Sequence, residues 1–276
     1  MKKVITIAGS DSGGGAGVQT DLKTFAAHGV YGTSAITAVT AQNTMGVISV
    51  ENIISKMVKD QIKAVFDDIG VDSIKIGMLS DVDTIDVVYE ILKEYDMKNI
   101  VLDPVMISTS GFDLIGNQAK KVLISKLLPL ADIITPNLFE AESILKEIKG
   151  DVDLKIDSPE KMSEAGKMIS KFSKKNVLIK GGHLEKKACD VLVMSDMSVY
   201  YFENDRIDTK NTHGTGCTLS SAIASNLALG YSIEDSVEKS KEFISKAIQR
   251  SLDIGKGCGP TNPLGEMYEK LGMEVK

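Results

Sequence analysis

Ser73-Ile74-Lys75-Ile76-Gly77 opens the stretch that decides the fold. It is short and apolar, and a glycine closes it, so it reads as a strand. Residues 82–95 then read as a helix, and Asn99-Ile100-Val101-Leu102 returns to a strand. Strand, helix and strand in about 30 residues form a βαβ unit, which joins two parallel strands by a crossover. The same alternation extends in both directions. Residues 4–8 predict a strand that runs into Gly9-Ser10, and 16–28 predict a helix that Gly29 stops. Strands follow at 31–40 and 47–54, then a helix at 56–69. Beyond the opening unit come a helix at 117–128 before Pro129 and a strand at 132–135 before Pro136-Asn137. Helices at 140–149 and 159–173 follow, the second capped by Ser158 with Pro159 in its first turn. A strand at 176–180 precedes two antiparallel strands, 189–194 and 199–202, and two long helices, 216–229 and 233–251. Repeated βα units imply an α/β protein with a mostly parallel sheet covered by helices on both faces. The expectation is one domain over 1–276, with a small β flap at 31–54 and a variable polar loop at 150–159.

Bulk properties narrow the class. Apolar residues are 43% and aromatics 5%, with no Trp, so the core should be aliphatic. The net charge is -6, without the basic excess that a nucleic-acid binder shows. Cys189, Cys217 and Cys258 form no zinc or Cys-x-x-Cys pattern, and no signal peptide is evident; both points suggest a reducing compartment, the cytoplasm. No apolar run approaches the ~18 residues that suggest a membrane span.

Ligands of open α/β sheets sit at the carboxyl ends of strands. The loop with the strongest chemical signal is Thr212-His213-Gly214-Thr215-Gly216-Cys217, which opens a long apolar helix. Two glycines around a threonine let backbone amides converge, and a helix start adds positive partial charge. Such a cradle suits a transferring phosphoryl group, although a Gly-rich turn with a threonine cap is the bland reading. Cys217, in the first turn, is expected to have a lowered pKa and to act as general base; an inert buried thiol is the alternative. There is no Walker phosphate loop. Gly13, Gly14, Gly15 and Gly17 miss the dinucleotide fingerprint, because Val18 occupies its last place.

Eight segments, taken in order, carry a resemblance. They are 7–17 with 21–25, then Thr40-Ala41-Gln42-Asn43-Thr44 and Lys75-Ile76-Gly77-Met78-Leu79. Leu102-Asp103-Pro104-Val105-Met106, 134–140, Lys180-Gly181-Gly182-His183 and 211–220 follow. Together they make the chain resemble, nearly end to end, the hydroxymethylpyrimidine/phosphomethylpyrimidine kinases of thiamine biosynthesis, in the ribokinase superfamily. The resemblance implies a three-layer α/β/α fold with a β flap, a homodimer, ATP as phosphoryl donor and Mg²⁺ as metal. It implies phosphorylation of an aminopyrimidine's 5-hydroxymethyl group, then of the monophosphate, with no nucleic-acid or membrane partner. Cys217 falls where related sugar kinases place an Asp base, and the amides of Gly214, Thr215, Gly216 and Cys217 resemble the family's anion hole. Asn137 and Glu140 resemble the pattern that organises Mg²⁺ and phosphate, with Glu140 acting through metal-bound water. Asp103, Lys180, Thr215 and Lys241 look like ATP contacts. Gly9, Asp21, Gln42, Met78 and Val105 look like pyrimidine-pocket residues. The Gln42 amide offers donors and an acceptor to an aminopyrimidine edge. A pyridoxal or pyridoxine kinase, or a dual activity, is the near rival, since that ring also bears a hydroxymethyl group. A non-catalytic binding protein on the same fold is the distant one.

Overall fold

The computed structural model describes residues 1–106, 114–150, 155–182 and 188–273. Their strands form one nine-stranded sheet in the order β3-β2-β1-β4-β5-β6-β7-β8-β9. The strands are β1 Lys3–Asp11, β2 Tyr31–Asn43, β3 Gly46–Asn52, β4 Ser73–Ile76, β5 Ile100–Leu102, β6 Ile133–Ile134, β7 Asn176–Ile179, β8 Ala188–Val193 and β9 Val199–Asn204. β2, β1, β4, β5, β6 and β7 run parallel; β3, β8 and β9 pair antiparallel with their neighbours.

Strand side chains alternate between two cores, as a period of two requires. Ile5, Ile7, Ile74, Ile76, Ile100 and Leu102 point into one core. That core is covered by α2 Ser55–Ala64, α3 Val82–Glu94, α4 Asn117–Val122, α5 Leu138–Lys149 and α6 Pro159–Ser173. Val4, Val101, Ile133, Leu178 and Leu192 point into the other, beneath α1 Gly17–Ala27, α7 Thr215–Leu229 and α8 Ile233–Gln249. The three layers expected from the βα alternation are therefore present.

The flap differs from the expectation. β2 is one continuous strand: its first part lies parallel to β1 and its distal part turns back as a hairpin with β3. The flap is thus an extension of the main sheet. Two helices reach close to their expected ends by changing hydrogen-bond pattern: Val65–Ile69 and Leu123–Leu127 continue α2 and α4 as single π-turns. The 150–159 loop lies partly outside the described residues.

Candidate active site

The carboxyl ends of β1, β4, β5, β6 and β7 face the head of α7. Two glycine-rich loops interlock there. Gly214 caps α7 with φ 79°, and a Cβ at that position would strike the carbonyl oxygen of Gly15. Only glycine suits both the left-handed backbone and the close approach. Among the described residues no acceptor meets the Gly216 and Cys217 N–H groups, whereas Thr215 and Thr218 already donate to Thr212 and Gly214 carbonyls. Those two N–H groups head α7, where the anion cradle is expected.

Asp11, at the end of β1, ties the loops together. Its carboxylate accepts N–H bonds from Gly13 at 2.8 Å, Gly15 at 3.1 Å and Ala16 at 2.8 Å, and meets His213 Nε2 at 2.9 Å. Burial opposes its ionisation, but the His213 contact and the Gly13 and Ala16 amides outweigh it and hold the acid below the usual range. Gln42 closes the line, with its amide 3.3 Å from His213. Gln42 and His213 both line a cleft of about 290 Å³ between the flap tip and residues 256–258. The pocket residue and the anion loop are therefore neighbours. Met78 packs its sulfur against Gly9, and half-buried Val105 follows Asp103.

Behind Cys217 lies a sealed pair. Lys75 Nζ meets Asp21 Oδ2 at 2.8 Å, and both side chains are 0% exposed. Thr6 and Ser221 donate to the same carboxylate. Asp21, expected to line a pyrimidine pocket, is fully buried with its oxygens bonded to Lys75, Thr6 and Ser221. Lys75 received no role from the sequence beyond its motif. Yet a lone lysine in an apolar strand of a two-sided sheet must be buried, and a buried lysine needs an acid. Burial works against its charge, but Asp21, Cys217 and Asp103 raise its pKa.

The expected lowering of the Cys217 thiol is reversed. Burial pushes it up to about 11; Lys75 lowers it, while Asp21 and Asp103 raise it. The thiol faces the Gly17 amide, but loss of water and two nearby carboxylates outweigh the helix start.

A second, open pair lies at the ends of β5 and β7. Lys180 Nζ meets Asp103 Oδ1 at 2.6 Å and stands 4.0 Å from Glu140 Oε2. Thr135 and Ser220 also donate to Asp103. Burial opposes Asp103's ionisation, but Lys180, Lys75 and Ser220 keep its pKa low. Burial drives Glu140 up to about 7; Lys180 pulls it down and Asp103 pushes it up. Lys180 and Asp103 both point at Gly216. The Asn137/Glu140 pattern forms a capping box at the start of α5: Asn137 N–H donates to Glu140 at 2.8 Å, and Glu140 N–H donates to Asn137 at 2.9 Å. The pattern expected to organise Mg²⁺ and phosphate thus also fixes the start of α5, at Leu138 rather than at the expected 140. Lys241, expected at the ATP phosphates, is ion-paired with Asp190 at 2.6 Å. Asp190 in turn accepts the Gly181 N–H, so Lys241 braces the turn that presents Lys180. His183 lies outside the described residues.

A Gly-lined amide cradle, a lysine and paired carboxylates at the carboxyl edge of an α/β sheet define a phosphoryl-transfer site, and the protein class is that of the small-molecule kinases. The phosphomethylpyrimidine kinase model matches residues 11–262. The hydroxymethylpyrimidine/phosphomethylpyrimidine kinase of Haemophilus influenzae is 45% identical over 95% of this chain and 96% of its own length. A phosphomethylpyrimidine kinase structure from Clostridium difficile is 48% identical, covers 90% of this chain and 100% of its own, and has a TM-score of 0.78. The ADP complex of Bacillus subtilis pyridoxal kinase is 38% identical, covers 97% and 99%, and has a TM-score of 0.86. The chain belongs to the phosphomethylpyrimidine kinase family, with a ribokinase-like fold, and is a kinase.

Proposed function

We propose that this enzyme transfers the γ-phosphoryl group of ATP to the 5-hydroxymethyl group of 4-amino-5-hydroxymethyl-2-methylpyrimidine, and then phosphorylates the monophosphate to the diphosphate for thiamine biosynthesis. The observation that carries the reading is the contact between Gln42 and the loop that heads α7. It sets a hydrogen-bonding edge for a flat ring beside an amide cradle for a phosphate. The 45% identity to a kinase of that name supports the same substrates.

In this reading Gln42 holds the ring edge, with Gly9, Met78 and Val105 as apolar walls. The Gly214–Cys217 loop receives the moving phosphoryl group, and Thr215 and Lys180 neutralise its oxygens. Cys217 accepts the hydroxyl proton as its thiolate, a minor form near neutral pH given a pKa of about 11. A largely dissociative transition state tolerates such a late proton transfer. The second step differs: a monophosphate acceptor is already ionised near pH 7 and needs no base.

Asp103 and Glu140 fit a hard divalent cation. They are two buried carboxylates sharing one ammonium; burial raises the Glu140 pKa, Lys180 lowers it and Asp103 adds to the rise. Mg²⁺ bound there would neutralise developing phosphate charge. The exposed apolar side chains of Met45, Ile48, Ile54 and Met57, in β3 and the segments on either side of it, support a homodimer. The free cysteines and the acidic charge support a cytoplasmic enzyme without nucleic-acid partners. No helix among the described residues is long and apolar enough to cross a membrane.

ADP release measured with ATP and Mg²⁺ on the pyrimidine alcohol, its monophosphate and pyridoxal tests the reading. Turnover of both pyrimidines is expected. Pyridoxal turned over tenfold faster would transfer the assignment to a pyridoxal kinase.

A further inference from the structure

The edge of the sheet opposite the active site carries a cleft of its own, of about 410 Å³. It opens where β5, β6 and β7 begin, between the end of α6 and the junction of α7 with α8. Asn99, Asp132 and Asn176 stand at those strand starts. Asp103, Thr135 and Lys180 lie three or four positions further along the same strands, at the active site. At about 3.3 Å per residue the two places are roughly 10–13 Å apart through the sheet.

Three lysines line this cleft: Lys98, Lys174 and Lys175. Asp132 is the single acid lining it, and Lys175 stands 3.5 Å from that carboxylate. Among the described residues no carboxylate pairs with Lys98 or Lys174. Two positive charges are therefore in excess here, on a chain whose net charge is -6. A cleft lined by one sign of charge concentrates ions of the other sign.

The frame around these charges is fixed. Asp132 accepts the Ile100 N–H at 3.0 Å. Buried Asn176 donates to the Asp132 carbonyl at 2.8 Å and accepts the Ser195 N–H at 3.0 Å. The starts of β5, β6 and β7 and the turn after β8 are thereby tied together. Lys174 is held there in a costly backbone state. It is the left-handed cap of α6, with φ 58°, whereas the left-handed caps of α5 and α7 are Gly150 and Gly230. Glycine takes that conformation freely; a side chain adds strain. Lys171 already places a cation in the last turn of α6, so the helix end does not call for another. A lysine in a glycine's place adds an ammonium to the cleft.

We infer that this cleft is a second anion site, which binds the phosphate group of a small organic phosphate ester. Near neutral pH such a group carries a charge of about -1.5 to -2, matching the two lysines in excess. Ammonium groups hold phosphate as point charges and need no fixed fork geometry. Buried Leu227 and half-buried Ile233 also line the cleft, and suit an apolar or flat body attached to the phosphate. Inorganic phosphate has the same charge but would leave that apolar surface in water.

Titration of ¹⁵N-labelled full-length protein with phenyl phosphate, inorganic phosphate and phenol, at constant ionic strength, tests the assignment. The backbone amide signals of Lys98, Asn99, Lys174, Lys175 and Ser195 should shift together and saturably with phenyl phosphate. Inorganic phosphate should require about tenfold more, because it buries no apolar surface, and phenol should not saturate them. Lys98→Ala combined with Lys174→Gly should weaken phenyl phosphate at these signals about tenfold, with kinase turnover unchanged. The thermal midpoint of Lys174→Gly should hold or rise, since glycine relieves the left-handed strain. Shifts that do not saturate, equal affinity for inorganic phosphate, or binding unchanged in the double variant would each overturn the site. A fall in the Lys174→Gly midpoint would show that this lysine serves the fold, and would count against it as well.

Discussion

Two lysine–carboxylate pairs adjoin α7, and their difference separates structure from chemistry. Lys75–Asp21 is closed: both side chains are 0% exposed, and Thr6 and Ser221 occupy the remaining carboxylate positions. One cation balances one anion. Lys180–Asp103 is open: Lys180 is 14% exposed and Glu140 shares it, so two carboxylates face one ammonium. A balanced, sealed pair holds the molecule together. An unbalanced, open pair is poised for a charged ligand. Cys217 lies close enough to feel both, because Lys75 and Asp103 each act on its thiol.

The largest expected effect falls on Cys217. Cys217→Ala should lower kcat on the pyrimidine alcohol by roughly 10²–10⁴, since the hydroxyl loses its base. On the monophosphate the loss should stay below about tenfold, because that acceptor is already ionised. Equal losses would show that the residue positions rather than deprotonates. Wild-type kcat/KM on the alcohol should also climb with pH toward about 11, following the thiol. A plateau reached near neutrality would contradict the raised thiol pKa.

Next come the two lysines, which should fail in opposite ways. Lys75→Met strands a buried carboxylate and should cost about 3–5 kcal/mol in urea unfolding. Lys180→Met should cost much less stability but lower kcat by about 10²–10³, the scale of losing one transition-state donor. If the variants behaved alike, the distinction between sealed and open pairs would collapse.

Gln42→Leu should raise KM for the pyrimidine about tenfold with little change in kcat, as measured from initial rates.

The smallest effect is a slope in stability. Glu140 has a folded pKa of about 7 against an ordinary 4.5. Between those values the folded protein holds a proton that the unfolded chain releases. Stability should therefore rise as pH falls from about 7 to 4.5. The lowered Asp11 and Asp103 act oppositely, but below their ordinary 3.8, outside this window, whereas buried His28, lowered from its ordinary 6.5, acts oppositely within it. Denaturant midpoints of wild type relative to Glu140→Gln should therefore rise as pH falls across the window, because the His28 contribution is common to both.

Much of the site was legible because its chemistry is local. Glycines at 214 and 216, at the start of a helix, let backbone amides converge, whereas the capping box of Asn137 with Glu140 emerged only in the structure. Less was legible where a role depends on what stands behind a residue. Asp21 matched a binding pattern, yet burial turned it into the partner of Lys75. Lys241 matched a phosphate contact, yet Asp190 holds it. Cys217 sits at a helix start that favours a thiolate, yet enclosure by α1, β4 and β5 favours the thiol.

The sequence by itself determined the βα alternation, the glycine positions, and hence a parallel sheet with a glycine-lined helix start at its carboxyl edge. Those follow from periodicity and backbone sterics, which act over a few residues. Only the tertiary structure decided the pairing of Lys75 with Asp21, the line from Asp11 through His213 to Gln42, and the protonation of Cys217 and Glu140. Each of these depends on distance, water exclusion and proton sharing between residues far apart in the chain, and no local pattern encodes them.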